Sequence, residues 1–346
     1  MKLLYTGPMR LGSLTEARRA ALIELGHQVV SLDQTKYLDR RSRFSTKVHN
    51  HLVLGPGIQA YNRDILRTTR EAGPDLIYVD QGQFLWPQTV ADLKKTGARV
   101  AHYTSEHFGF RSYVYRHFTR TIPLYDAHVH SFEFSRRWLL ERGAQKVVKA
   151  EFGYDPKLHR PPTLSADERR ELQSDVIFIG HYEPSTASMI HALLAAGIDV
   201  KVFGPGWSLR AWGIPNHRQI RSLYGEAYVK RLAAAKICLC FLSKWNKNVM
   251  HSASRTFEIP AIGSFLLAER TPDHVTYYAE GKEAEFFSSE KELVDKTKYY
   301  LANDEKRREI AMAGHRRCLT SGYSHSDRMK EILDGIEQAQ GSLAAS

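Results

Sequence analysis

A chain of 346 residues exceeds what one hydrophobic core ordinarily fills and predicts two domains of about 150 residues each. The composition, 42% hydrophobic and 25% charged with no low-complexity tract, is that of a soluble globular protein, and no apolar run reaches the roughly 20 residues of a membrane span. The net charge of +11 fits an anionic partner, but it is spread along the chain without any zinc-finger, helix-turn-helix or RNP pattern, so nucleic acid is disfavoured.

The opening Met1-Lys-Leu-Leu-Tyr-Thr-Gly7 lacks the length and cleavage site of a signal peptide and reads as a first strand, Lys2–Thr6. Ser13-Leu-Thr-Glu16 has the spacing of a capping box and opens a helix over Leu14–Leu25. Gly26 ends it, and Gln28–Leu32 is the second strand. A basic, irregular stretch, Asp39–Gly57, precedes a helix at Ile58–Glu71. Strands then follow at Asp75–Val79, Arg99–Tyr103, Ala127–Ser131 and Lys146–Lys149, separated by helices at Pro87–Thr96, Tyr113–Thr121 and Glu133–Gly143. Strand–helix units of this size imply a parallel sheet covered by helices on both faces.

Gly153-Tyr-Asp-Pro-Lys-Leu-His-Arg-Pro161-Pro162 is a proline-marked exit, and the polar Thr163–Ser174 after it reads as the domain boundary. A second alternating series begins with the strand Asp175–Ile179, a turn at Gly180–Pro184 and a helix at Thr186–Ala196. Val200–Phe203 is a strand, followed by a tight turn at Gly204-Pro-Gly-Trp207. Tyr228–Ala235 is a helix, Ile237–Leu242 a strand, Ser252–Ile262 a helix and Ser264–Leu267 a strand. Helices occupy most of the rest, from Lys291 through Asn303 and past Met329. The three cysteines, Cys238, Cys240 and Cys318, form no CxxC pair, so neither a disulfide framework nor a zinc site is indicated, and the cytoplasm is the natural compartment. His128-Val-His130 puts two imidazoles on one face of a strand, but no third ligand is nearby in sequence; His49-Asn-His51, in the basic loop, is no better, and no metal site is expected.

The most informative segment is Arg255-Thr-Phe-Glu-Ile-Pro-Ala-Ile-Gly263-Ser-Phe-Leu-Leu-Ala268. It reads as a short helix, a glycine stop and a buried strand. A helix N-terminus favours a diphosphate through its N–H groups and dipole. Glu258 is an acceptor for paired sugar hydroxyls, and Arg255 adds fixed positive charge.

From about Lys230 to Arg328 the chain resembles GT-B glycosyltransferases of the group related to the spore-maturation protein CgeB. The matching pieces are Ala233-Ala-Ala-Lys-Ile237, the Arg255–Gly263 segment, Glu269-Arg-Thr-Pro272, Tyr278-Ala-Glu-Gly-Lys-Glu283, Glu292-Leu293, Tyr299-Tyr-Leu-Ala302, Ile310-Ala-Met-Ala-Gly314 and Tyr323. Phe152–Pro161 is similar to the interdomain crossover of these enzymes, and Val200–Trp207 to the second strand and turn of their donor domain. The resemblance implies an α/β GT-B fold: two Rossmann-like domains whose parallel sheets face a central cleft that closes on its ligands. Residues 1–162 would bind the acceptor and 163–325 the donor, with 326–346 a C-terminal helix packing back on the first domain.

It further implies transfer of a sugar from a nucleotide-diphospho-sugar (UDP-, GDP- or dTDP-linked) to an acceptor hydroxyl, without a prosthetic group. Glu258 falls where the family's glutamate holds ribose. In related enzymes a second glutamate lies eight residues earlier, where this chain has Met250, and Asp-x-Asp is absent. Metal-independent chemistry is therefore expected, the departing diphosphate being stabilised by Arg255 and the helix dipole, and the resemblance to the group separately implies retention of configuration. Thr256, Lys244 and Lys247 join Arg255 as phosphate candidates; Asn248, His251 and Ser252 precede the helix and would cap it or touch the donor phosphate, with Ser252 read as its N-cap. Gly180-His181 would bring backbone to the donor phosphates, and Phe203-Gly204 would lie at the base or ribose. In the first domain, Glu106 and His107 follow a strand and would hold the acceptor, take its proton or orient the sugar. The loop with Gly7, Pro8 and Gly12, and Asp80-Gln81-Gly82, are further strand-end candidates. The acceptor is expected to be a glycan, a lipid-linked sugar, a small molecule or a protein, and Arg40–Lys47 offers charge for an anionic membrane or glycan. A nucleotide-sugar epimerase, a catalytically inactive binding or structural protein and a basic nucleic-acid-binding protein are the alternatives.

Overall fold

The structure, a computed structural model, describes residues 1–10, 12–37, 52–104, 116–131, 133–207, 214, 220–242 and 252–338. The chain divides into two compact units, Met1–Glu151 with Ser326–Ser346, and Phe152–His325.

In the first unit six strands, β1 (Lys2–Gly7), β2 (Gln28–Asp33), β3 (Leu76–Asp80), β4 (Arg99–Thr104), β5 (Ala127–His130) and β6 (Val147–Lys149), form one parallel sheet in the order β2-β1-β3-β4-β5-β6. Helices α1 (Leu14–Glu24), α2 (Pro56–Ala72), α3 (Pro87–Lys94), α4 (Arg116–Thr121) and α5 (Glu133–Leu140) connect them. Successive strand residues face opposite sides, so the strands feed two cores. Leu3, Tyr5, Leu76 and Tyr78 pack in one, and Leu4, Ile77 and Val79 pack in the other with Ile58, Ile65 and Val90. Ser13 caps α1 by accepting from the Glu16 N–H, while the Glu16 carboxylate turns to Arg19.

The second unit holds α6 (Ala166–Leu172), α7 (Pro184–Ala195), α8 (Gly225–Ala233), α9 (Ser254–Ala261), α10 (Pro272–Tyr277), α11 (Glu290–Ala302) and α12 (Asp304–Thr320). Its strands β7 (Ser174–Ile179), β8 (Val200–Phe203), β9 (Ala235–Cys240), β10 (Leu266–Glu269) and β11 (Glu285–Phe287) run parallel in the order β11-β10-β9-β7-β8. The last described helix, α13 (His325–Glu337), places Met329, Ile332, Leu333 and Ile336 in the core of the first unit beside Leu3 and Tyr5.

Three elements depart from the sequence reading. The polar segment 163–174 contains α6, held by a reciprocal capping box between Ser165 and Glu168 and without a buried residue, so no apolar periodicity announces it. The short α10 and the three-residue β11 were likewise not legible. In both sheets the first strand lies between the second and the third. The winding reverses at β1/β3 and at β7/β9, and ligands of such sheets bind beyond the carboxyl ends of the strands at that switch point.

Candidate active site

At the β7/β9 switch point the second unit has a pocket of about 270 Å³. Its wall comes from Phe178 of β7, His181 after it, Glu183 and Thr186 at the start of α7, Phe241 and Leu242 after β9, and Ser254 and Arg255 at the start of α9. Two helix N-termini thus open at one pocket, an electrostatic arrangement suited to an anion.

Among the described residues that line this pocket, Arg255 is the fixed cation. Its Nη1 donates to the Ile179 carbonyl at 3.2 Å and its Nη2 to the Phe241 carbonyl at 3.0 Å, joining the ends of β7 and β9. The guanidinium lies 5.4 Å from the Phe178 ring centroid, and its buried Nε has no hydrogen-bond partner among the described residues. A guanidinium carries five N–H donors, so two backbone contacts leave capacity for an anion. Gly180 is beneath it: a Cβ there would meet the Phe178 ring at 2.5 Å and Arg255 Nη1 at 3.2 Å. Gly204 is equally constrained, with φ of 129° and a Cβ position 2.0 Å from the Gly180 oxygen. The loop after β7 is laced to the loop after β8 by Gly180 N–H to Phe203 O, Tyr182 N–H to Pro205 O, and Trp207 Nε1–H to Gly180 O.

The N-terminus of α9 differs from the expected one. The helix begins at Ser254 with Ala253 at the cap, so Ser252, which is buried, is not the N-cap. The cap is tied down instead by a relay. His274 Nδ1–H donates to the Glu269 carbonyl at 2.6 Å, which leaves Nε2 to accept from the Thr256 hydroxyl at 2.8 Å. Thr256 Oγ1 in turn accepts the Ala253 N–H at 3.1 Å. The Thr256 hydroxyl therefore faces the interior and does not line the pocket. The Phe203 ring, too, is in the core, under Arg231, and only the backbone of this position reaches the loop interface.

Glu258, one turn along α9, is 9% exposed. Its Oε2 accepts the Tyr228 hydroxyl at 2.6 Å, and its Oε1 lies 3.9 Å from His159 Nε2. Neither Tyr228 nor His159 carries a recognisable signal in the sequence: one occupies an ordinary helix position, the other a proline-marked exit.

In the first unit Gly7 ends β1 against Asp80 of β3; a Cβ there would lie 2.8 Å from Asp80 Cβ. Asp80 is buried and its Oδ2 takes bonds from Tyr5 and Arg18. Gln81 follows with φ of 59°. His128 uses both ring nitrogens: Nε2–H donates to Ile122 O at 2.9 Å, and Nδ1 accepts from His102 Nδ1–H at 3.1 Å. Among the described residues no three His, Cys, Asp or Glu side chains are grouped to hold a metal ion, and no helix is long and apolar enough to cross a membrane. Glu106, His107, Lys244, Lys247, Asn248, Met250, His251, His49, His51 and the Arg40–Lys47 segment lie outside the described residues.

Residues 185–334 match the family model described as glycosyl transferase-like. No curated protein matches the chain in sequence. An alpha-glucosyltransferase in complex with UDP-glucose and DNA containing an abasic site is similar with a TM-score of 0.72 at 14% identity, over 97% of this chain and 99% of that one. The HepE protein of Anabaena in complex with UDP-glucose gives 0.62 at 14% identity, over 96% and 99%. A UDP-N-acetylglucosamine 2-epimerase gives 0.52 at 12%, over 96% and 94%. At such identities the likeness is one of fold: two parallel-sheet Rossmann-like units of the GT-B type.

Proposed function

We propose that the chain is a glycosyltransferase that moves a sugar from a nucleotide-diphospho-sugar to an acceptor hydroxyl. The observation that carries this is Arg255, a guanidinium held between the carboxyl ends of β7 and β9 beside the N-terminus of α9, within the segment that matches the glycosyl transferase-like family. In this reading the diphosphate occupies the pocket and Glu258 takes ribose hydroxyls. The acceptor oxygen attacks the anomeric carbon, the bond from that carbon to the diphosphate breaks, and the electron pair leaves with the nucleoside diphosphate. Arg255 and the α9 dipole stabilise the charge that develops there, so no metal is required of this step. Glu106 and His107, after β4, are the proposed groups for the acceptor proton or for orienting the sugar.

The resemblance of Lys230–Arg328 to the CgeB-like group supports the transferase reading and suggests retention of configuration. A UDP-sugar is the first donor to test, because the alpha-glucosyltransferase and HepE structures contain UDP-glucose. The acceptor is a glycan, a lipid-linked sugar, a small molecule or a protein, and we place the chain in the cytoplasm.

The experiment is to incubate the protein with UDP-, GDP- and dTDP-sugars and follow nucleoside diphosphate release with and without acceptor pools. Wild type should release the diphosphate, and Arg255→Gln should do so about a hundredfold more slowly. Sugar epimerised without acceptor would identify the epimerase instead. Binding without any turnover would point to an inactive binding protein.

A further inference from the structure

Glu258 presents an unusual problem for a buried acid. Its side chain is 11% exposed, and no arginine or lysine among the described residues pairs with it. A carboxylate taken out of water needs hydrogen bonds in place of those it loses. Two groups approach it. The Tyr228 hydroxyl donates to Oε2 at 2.6 Å, a distance typical of a charge-assisted bond. Burial, then the nearby Glu258 charge, push the Tyr228 phenol well above its ordinary pKa, so it remains a donor. On the other side, His159 Nδ1 accepts the Asp155 N–H at 3.0 Å, which fixes the proton on Nε2. That Nε2–H faces Oε1 at 3.9 Å, too long for a hydrogen bond. The two rings meet edge-on with centroids 6.1 Å apart, so each fixes the other.

We propose that Tyr228 and His159 are positioning residues that hold the Glu258 carboxylate with Oε2 occupied and Oε1 free to accept hydroxyls of the donor's ribose. This rests on the donor-site reading of Glu258 and assigns how that site discriminates sugars. Tyr228 comes from α8 and His159 from the segment before α6, so three separate parts of the second unit converge on one oxygen pair. A carboxylate with one oxygen spent on a phenol offers a single directed acceptor face, which a ribose hydroxyl satisfies and a 2′,3′-dideoxyribose does not.

The test is calorimetric binding of UDP and of 2′,3′-dideoxy-UDP to wild type, Tyr228→Phe, His159→Phe, Glu258→Gln and the double variant Tyr228→Phe/Glu258→Gln. The phenylalanine at 228 keeps the ring and removes only the hydroxyl. Wild type should prefer UDP, and Tyr228→Phe should bind UDP about tenfold more weakly. Its affinity for the dideoxy analogue should stay at the wild-type value. In the Glu258→Gln background the tyrosine substitution should add little, because Tyr228 acts through that carboxylate. His159→Phe should show the same selective loss at smaller size. Equal weakening toward both ligands, an unchanged UDP affinity, or full additivity in the double variant would overturn the assignment while leaving the donor site standing. Should Tyr228→Phe not fold, the ribose selectivity of His159→Phe and Glu258→Gln decides: if neither loses it, the assignment fails. If wild type binds neither UDP nor any other nucleoside diphosphate, the donor-site reading falls and takes this one with it.

Discussion

Arg18 reaches from α1 to Asp80 at the end of β3, with Nε at 3.0 Å and Nη2 at 2.6 Å from Oδ2. Tyr5 adds its hydroxyl to the same oxygen at 2.7 Å, and the Tyr103 ring lies 3.9 Å from the guanidinium carbon. Removing one member of such a buried pair leaves the other charge uncompensated. Arg18→Met should therefore lower unfolding free energy by about 3 kcal/mol, read as a fall in urea midpoint at constant slope. A loss near zero would mean that the pair is solvated. Gly204→Ala should also be damaging, because φ of 129° and the Gly180 oxygen at 2.0 Å both oppose a side chain. We expect a loss of about 2 kcal/mol or more, with nucleotide binding impaired alongside; a fully stable variant that binds normally would contradict the described loop. At this scale the sequence was informative where chemistry is intrinsic to a residue type. Arg255 and Glu258 could be singled out as a cation and a hydroxyl acceptor. Their partners could not, since Tyr228 and Glu258 are 30 residues apart, and Arg18 and Asp80 are 62 apart.

The helix α9 shows what an element needs beyond periodicity. Its apolar spacing located it to within two residues, but its cap is not the serine that the local sequence offers. The relay through Thr256 and His274 depends on β10 and α10 coming alongside, a tertiary contact that local rules do not contain. Thr256→Val should cost about 1–2 kcal/mol and raise hydrogen exchange at the start of α9; unchanged exchange there would remove the relay from the account. Strands β4 and β5 carry a second element-scale consequence. Burial pushes the His128 imidazole down to about 4, its bond to the Ile122 carbonyl only partly opposing this. His102 is lowered as well, by burial and then by His128 and His130. The folded state therefore binds fewer protons than the unfolded state below about pH 6.5, and stability falls as pH drops from there toward 4. His128 alone contributes on the order of 3 kcal/mol of that loss. A variant carrying His128→Gln should show a shallower fall in unfolding free energy between pH 7 and 4.5 than wild type, and an identical slope would refute the assignment.

Across the whole molecule, the two parallel sheets were legible because strands buried on both faces read as apolar runs separated by helical periods, and glycines mark several of the turns. Elements without an apolar stripe were not, as α6 shows. The strand orders themselves, with a reversal at β1/β3 and at β7/β9, are not written in any local pattern. They nonetheless determine where chemistry can occur, because the reversal opens the pocket that Arg255 lines. We propose that this pocket binds a nucleoside diphosphate through Arg255. The direct measurement is thermal stabilisation by UDP, GDP, dTDP, CDP and ADP, on wild type and on Arg255→Gln and Glu258→Ala. A ligand at a hundred times its dissociation constant adds about 2.7 kcal/mol of stability. At least one nucleotide should stabilise wild type while both variants respond much less. No response from wild type, or an equal response from Arg255→Gln, would contradict it.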